Sequence, residues 1–183
     1  MNTNPTQTLA VLVDNEAGVL SLIARLFSRK GYNIETLAVG ETDDPTVSRM
    51  TIEIIADEEH TELLCNQLRK LFPVHSVKRL SQDQSIRREL VLFKVAAETS
   101  DERNEVIQIA NIFRASVIDI SVASLTLSVI GDKEKINAMQ TMLARNGILE
   151  LVRTGMVALE RGSFTITENT KEKGEFNYGK NVL

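Results

Sequence analysis

Covalent chemistry has little to work with in this chain, whose 183 residues include one cysteine, two histidines and no tryptophan. A lone thiol, Cys65, excludes an intramolecular disulfide framework and fits a reducing compartment, so the expected location is cytoplasmic. No apolar run approaches the ~18 residues of a membrane span, and MNTNPTQTL lacks the basic-then-apolar order of a secretory leader. Neither export nor membrane contact is expected. Positive charge is also scarce: 21 Lys and Arg against 25 Asp and Glu leave a formal net charge of -4. Nucleic acid is not an expected partner, because phosphate binding needs a concentrated positive field.

Motifs for metals and nucleotides are missing too. Neither G-x-G-x-x-G nor the phosphate-loop pattern occurs, and there is no Cys-x-x-Cys, His-x-x-x-His or Asp-rich calcium loop. The expected metal ligands and catalytic residues are therefore none. His60 opens a helix among Glu58, Glu59 and Glu62, whereas His75 lies early in a strand, so the two do not converge on one substrate. Cys65 follows Leu63 and Leu64 within a helix and reads as a small packing residue. The Asp43-Asp44 pair reads as a solvated loop.

What the chain does have is a pattern written twice. Hydrophobic residues make up 43% and charged residues 25%, enough for ordinary cores in one large domain or two small ones. Thr8 to Val13 is a β-prone run. Glu16 to Lys30 carries Val19, Leu20, Ile23, Leu26 and Phe27 at helical spacing and stops at Gly31. Asn33 to Val39 and Ser48 to Ala56 read as a strand pair around Gly40 and Pro45. Glu58 to Phe72 is helical, and Val74 to Leu80 closes the unit after Pro73. The cycle then repeats: strand 89–97, helix 101–114, strands 116–122 and 125–130, helix 133–145, and a closing strand from Ile148 to Leu159. The expected fold class is α+β, two tandem ferredoxin-like βαββαβ domains over 8–82 and 88–162, with a mobile polar tail at 163–183. A single α+β domain with a fortuitous repeat is the alternative.

Chemistry concentrates in Asp14-Asn15-Glu16-Ala17-Gly18-Val19-Leu20, where a strand gives way to a helix. Helix starts leave backbone N–H groups unpaired and carry partial positive charge, so a ligand carboxylate can dock there. Gly18 removes an obstructing side chain, and Asn15 offers one acceptor and two donors. Taken alone the signal is weak, since capping residues followed by glycine begin many helices. Asn33 is a second polar marker, at the far end of a helix roughly 20 Å long, so it cannot share a small ligand with Gly18 in one chain. Antiparallel pairing of the edge strand 33–39 with its twin would bring the two together, placing an amino acid between the subunits of a homodimer.

The stretch TLAVLVDNEAGVLSLIARLFSRKGYNIETLAVGETDDPTVSRMTIEI resembles the N-terminal ACT domain of the small, regulatory subunit of acetohydroxyacid (acetolactate) synthase. RELVLFKVAA, IFRASVIDIS and ELVRTGMVALERG resemble that family's C-terminal half. The tail from Ser163 to Leu183 departs from it. The resemblance implies a regulator of branched-chain amino acid biosynthesis. Such a chain binds a large catalytic subunit, raises its activity and transmits feedback inhibition by valine, while thiamine diphosphate, Mg and FAD stay on the catalytic subunit and no cofactor is held here. Asn15, Ala17, Gly18 and Val19 match the loop that meets the effector, and Asn33 and Ile34 match the neighbouring subunit's contribution. Arg49 and the loop Glu41 to Pro45 fit either a contact with the catalytic chain or a solvated loop. Without the family, Val19, Leu20 and Ile34 read first as core residues, and Asn15 fits a helix cap. A free-standing ACT sensor acting on a transcription factor or another enzyme is the alternative function. An enzyme on the same scaffold, such as a small phosphatase, is a third, and little in the residue inventory supports it.

Overall fold

The computed structural model describes residues 4–169. Its first unit runs β1 (Thr6–Asp14), α1 (Val19–Lys30), β2 (Thr36–Glu41), β3 (Val47–Ile55), α2 (Glu58–Leu68) and β4 (Val74–Leu80). These strands form an antiparallel sheet in the order β2-β3-β1-β4. The second unit repeats the sequence as β5 (Ser85–Ala96), α3 (Ser100–Ile112), β6 (Ser116–Ile120), β7 (Ser124–Gly131), α4 (Lys133–Leu143) and β8 (Ile148–Arg153), in the order β6-β7-β5-β8. Both units are thus the ferredoxin-like βαββαβ fold expected from the tandem pattern.

Local chemistry explains the elements. Val19, Ile23, Leu26 and Phe27 fall on one stripe of α1 and are buried against the sheet. Gly31 ends the helix at φ 73°, a left-handed conformation that lets its N–H reach Ser28 O and the Tyr32 N–H reach Phe27 O. The other helices begin on side chains: Asp57 accepts from the His60 N–H, Thr99 and Glu102 make a reciprocal capping box, and Asp132 accepts from the Lys135 N–H.

The two sheets differ in how they are covered. Leu9, Val11 and Val13 of β1 face the helices, while Ala10 and Leu12 on the opposite face are also buried, against Leu80, Ala158 and Ile166. Ala158 in that back layer belongs to a separate strand, where the sequence predicts one continuous closing strand. The closing strand expected over 148–159 is broken at Gly155, whose φ of 79° turns the chain. The piece beyond it, β9 (Val157–Glu160), pairs with the first four residues of β5 instead of extending β8. The resulting β5–β9 ribbon lies on the first domain, where Arg49 donates to the Ala158 carbonyl at 2.8 Å and Lys78 pairs with Glu160. Of the tail expected at 163–183, residues 170–183 lie outside the described residues. Residues 166–169 form a short 3-10 turn with Ile166 buried, because an apolar side chain there completes the back layer. No helix among the described residues is long and apolar enough to cross a membrane.

Candidate functional site

The start of α1 is built unlike the other three helix starts. Gly18 is its first flanking residue at φ 92°, and no side chain caps the helix. A Cβ placed on Gly18 would meet nothing within 4 Å, so the space beside these backbone amides is open. Ala17, Gly18, Leu22, Arg25, Phe72 and Pro73 line a shallow hollow of 510 Å³ there. Phe72 is 90% exposed on its rim. Val19 turns inward: its side chain belongs to the core, so only its backbone faces the helix start.

Asn15 sits differently from a free ligand-binding amide. Its Nδ2 donates to the Pro45 carbonyl at 2.9 Å and to Glu41 Oε1 at 3.3 Å, and its Oδ1 accepts from Ser48 Oγ at 3.0 Å. The Asn15 N–H donates to Thr46 O at 2.7 Å. Both donors and the acceptor thus tie the β1–α1 loop to the β2–β3 hairpin. On the opposite side, Asp14 Oδ1 meets His75 Nε2 at 2.7 Å, with both side chains largely shielded from water. By sequence alone His75 reads as an ordinary strand histidine. The 61 residues that separate it from Asp14 leave no local signal of the pairing.

Asn33 and Ile34 lie past the other end of α1, which at ~1.5 Å per residue is roughly 18 Å long for its 12 residues. One chain does not bring them to Gly18. Asn33 is exposed and its Nδ2 donates to Glu35 Oε1 at 2.7 Å, while Ile34 packs partly on the core. Both residues precede β2, which begins at Thr36 rather than Asn33 and forms an outer edge of the sheet. Gly155, passed over in the sequence, approaches this strand closely: a Cβ there would lie 3.4 Å from Leu37 O and from Thr36 Cβ.

Elsewhere the titratable groups serve structure. Two hydrogen bonds from Thr46 hold the Asp44 carboxyl below its ordinary range and brace the β2–β3 loop. Burial pushes the Cys65 thiol up to about 11. Among the described residues no three His, Cys, Asp or Glu side chains converge to hold a metal ion.

Comparison with known proteins reaches both domains. The family described as AHAS small subunit-like ACT domain matches residues 9–76, and that described as small subunit of acetolactate synthase matches residues 88–162. The chain is 48% identical over 158 residues to the acetolactate synthase small subunit of Mycobacterium leprae, covering 86% of this chain and 93% of that one. It is 44% identical over 161 residues to a probable acetolactate synthase small subunit from Methanothermobacter thermautotrophicus, covering 88% and 96%. Among solved structures, the small subunit of acetolactate synthase from Thermotoga maritima superposes with a TM-score of 0.81 at 31% identity, over 87% of this chain and 99% of that one.

Proposed function

Because the chain belongs to the acetolactate synthase small subunit family, we propose that it senses valine through its first domain and adjusts the activity of a large catalytic subunit accordingly. The observation that carries this reading is the α1 start. Three helices close their N-termini with their own side chains, and the fourth offers left-handed Gly18, no cap and open space. The backbone amides there suit the effector carboxylate, helped by the helix dipole. Asn15 acts by holding the loop, because its own hydrogen-bonding groups are engaged.

A second copy of the chain, paired along the free edge of β2, would bring Asn33 to the amino end of the effector and Ile34 to its side chain. Burying a branched side chain against Ile34 is worth ~1.5–3 kcal/mol, enough to separate valine from alanine but not from isoleucine. Ligand occupancy would then bias the geometry of the dimer, and with it the large subunit. The decarboxylation and condensation chemistry, with thiamine diphosphate, Mg and FAD, belongs in this reading to the large subunit, and the complex is cytoplasmic.

Calorimetric titration of the isolated protein with valine, leucine, isoleucine and alanine tests the reading. A saturable signal from the branched-chain amino acids and none from alanine is expected. Silence from all four at millimolar concentration would remove the sensing site.

A further inference from the structure

The first sheet has two edges, β2 and β4, and they differ in how they are protected from pairing. β4 carries Lys78 and a register shift against β1, and its Ser76 Oγ donates to Ile166 O at 2.8 Å and Lys78 Nζ to Thr165 O at 3.3 Å on the back face of the sheet. β2 has β3 on one side and no strand among the described residues on the other. Its sequence, TLAVGE, contains no lysine or proline, and its register with β3 runs without a bulge. These are the devices by which a sheet edge is usually protected from pairing.

Beneath this edge lies a groove of 470 Å³ on the face of the sheet turned away from the helices. Cross-strand partners share a face, which puts Ala38 with Thr51 on the groove side and Val39 with core residue Met50 on the helix side. The groove's far wall is the β5–β9 ribbon. Ile86 lies opposite Leu159 and Arg88 opposite Val157, so these share the ribbon's outer face while Ala158 turns in towards the first domain. Ile86, Val157 and Leu159 are 39%, 49% and 53% exposed.

We propose that Ile86, Val157 and Leu159 form the second half of a homodimer interface that starts at the β2 edge, and that a second copy of this chain closes the groove. The inference rests on the edge pairing in the proposed function and adds a surface from the other domain. Area supports it. A six-residue strand at ~3.4 Å per residue is roughly 20 Å long, and a sheet layer is about 10 Å deep, so edge pairing alone covers on the order of 200 Å². Stable specific dimers bury ~800 Å² per partner. A two-fold axis through β2 sets each groove beside its own copy, so two apolar ribbon faces meet on the back of one continuous sheet. The second domain then takes part in dimerisation directly, through the strand that follows the Gly155 turn against Leu37.

Sedimentation of the full chain over a concentration series tests this with Leu159→Asp, Ile86→Asp and, for the edge itself, Val39→Lys. All three should weaken the dimer at least tenfold while leaving the circular dichroism spectrum unchanged. If the two ribbon variants dimerise like the parent and Val39→Lys does not, the ribbon lies outside the interface and the edge reading survives. If all three dimerise like the parent, or the parent is a monomer, both ideas fail. Leu159→Asp that remains dimeric but no longer activates the large subunit assigns the surface to that subunit and overturns the proposal. Hydroxyl-radical footprinting of the parent needs no variant: Ile86, Val157 and Leu159 should oxidise several-fold more slowly above the dimerisation range than below it, and equal rates count against the interface.

Discussion

The Asn15 side chain donates to the Pro45 carbonyl at 2.9 Å, joining the β1–α1 loop to the β2–β3 loop across thirty residues of sequence. With Ser48 Oγ at the start of β3 donating back to Asn15 Oδ1, the amide ties the β1–α1 loop to the β2–β3 hairpin. Asn15→Ala should remove these bonds at ~0.5–1.5 kcal/mol each, tempered by exposure, and lower the melting temperature by a few degrees. Valine affinity should fall as well, since the backbone amides lose their fixed position. Thermal unfolding and calorimetry on the same variant check both effects, and unchanged valine affinity would show that the tie is irrelevant to sensing.

Gly18 separates two effects that a single substitution would confuse. At φ 92° any side chain is strained by ~1–2 kcal/mol, even though a Cβ would meet nothing. Gly18→Ala adds that strain and little else, whereas Gly18→Asp also places a carboxylate where the effector's would sit. In a reconstituted assay with the large subunit, Gly18→Asp should abolish inhibition by valine and retain activation, with Gly18→Ala keeping measurable inhibition. Full valine sensitivity in Gly18→Asp would place the effector elsewhere.

Much of this was legible beforehand because helices write their periods locally. Val19, Ile23, Leu26 and Phe27 followed by Gly31 predict α1 and its end from neighbouring residues alone. The length of that helix already forbids Gly18 and Asn33 from meeting in one chain. The contacts made by distant residues were not legible. His75 and Asp14, or Arg49 and the carbonyl of Ala158, are joined only by tertiary folding. Val157 to Leu159 has the composition of a strand continuing β8, and nothing local says that Gly155 takes a left-handed turn towards another sheet. The apolar run LAVLV marks β1 as a strand and says nothing of which element covers its second face.

Gly155 carries the junction between the domains. Its φ of 79° strains any side chain, and a Cβ there would already touch Leu37 O at 3.4 Å, so a branched side chain presses on β2. Gly155→Val should therefore destabilise the chain by ~1–3 kcal/mol through backbone strain and displacement of β2. Denaturant unfolding should show a lower midpoint, and a broadened or split transition would report that the domains have come apart. A midpoint equal to the parent's would mean that the turn relaxes without cost.

Acid should weaken the helix starts in a defined window. The Glu102 carboxyl is held below its ordinary range by the backbone N–H groups of Thr99 and Glu98, and that of Asp57 by the His60 N–H. A carboxyl whose folded value is depressed contributes stability that is fully present above its unfolded value, near 4, and is lost as pH falls through the folded value. Urea midpoints should thus hold from pH 7 to 5 and fall below about pH 4. Glu102→Gln, which keeps an acceptor oxygen but no titrating group, should flatten part of that fall; an acid limb identical to the parent's would deny Glu102 any share in it.

Cys65 should be chemically silent until the chain unfolds. It is fully buried in α2, and burial, the largest influence on it, pushes its thiol up to about 11. The thiolate is the reactive form, so at pH 8 both access and ionisation are denied to an aromatic disulfide reagent. Native protein should show no labelling over minutes and one equivalent in denaturant. The sign of the linkage is the reverse of the acid case. A folded value raised above the unfolded one gives stability that is complete below pH 9 and lost as pH climbs towards 11, because the unfolded chain releases the proton first. Cys65→Ala should lessen that alkaline loss while lowering stability at neutral pH, by leaving a small cavity in the core it shares with Leu64 and Leu68. Rapid labelling of the native chain at pH 8 would instead mean that α2 opens readily from the sheet.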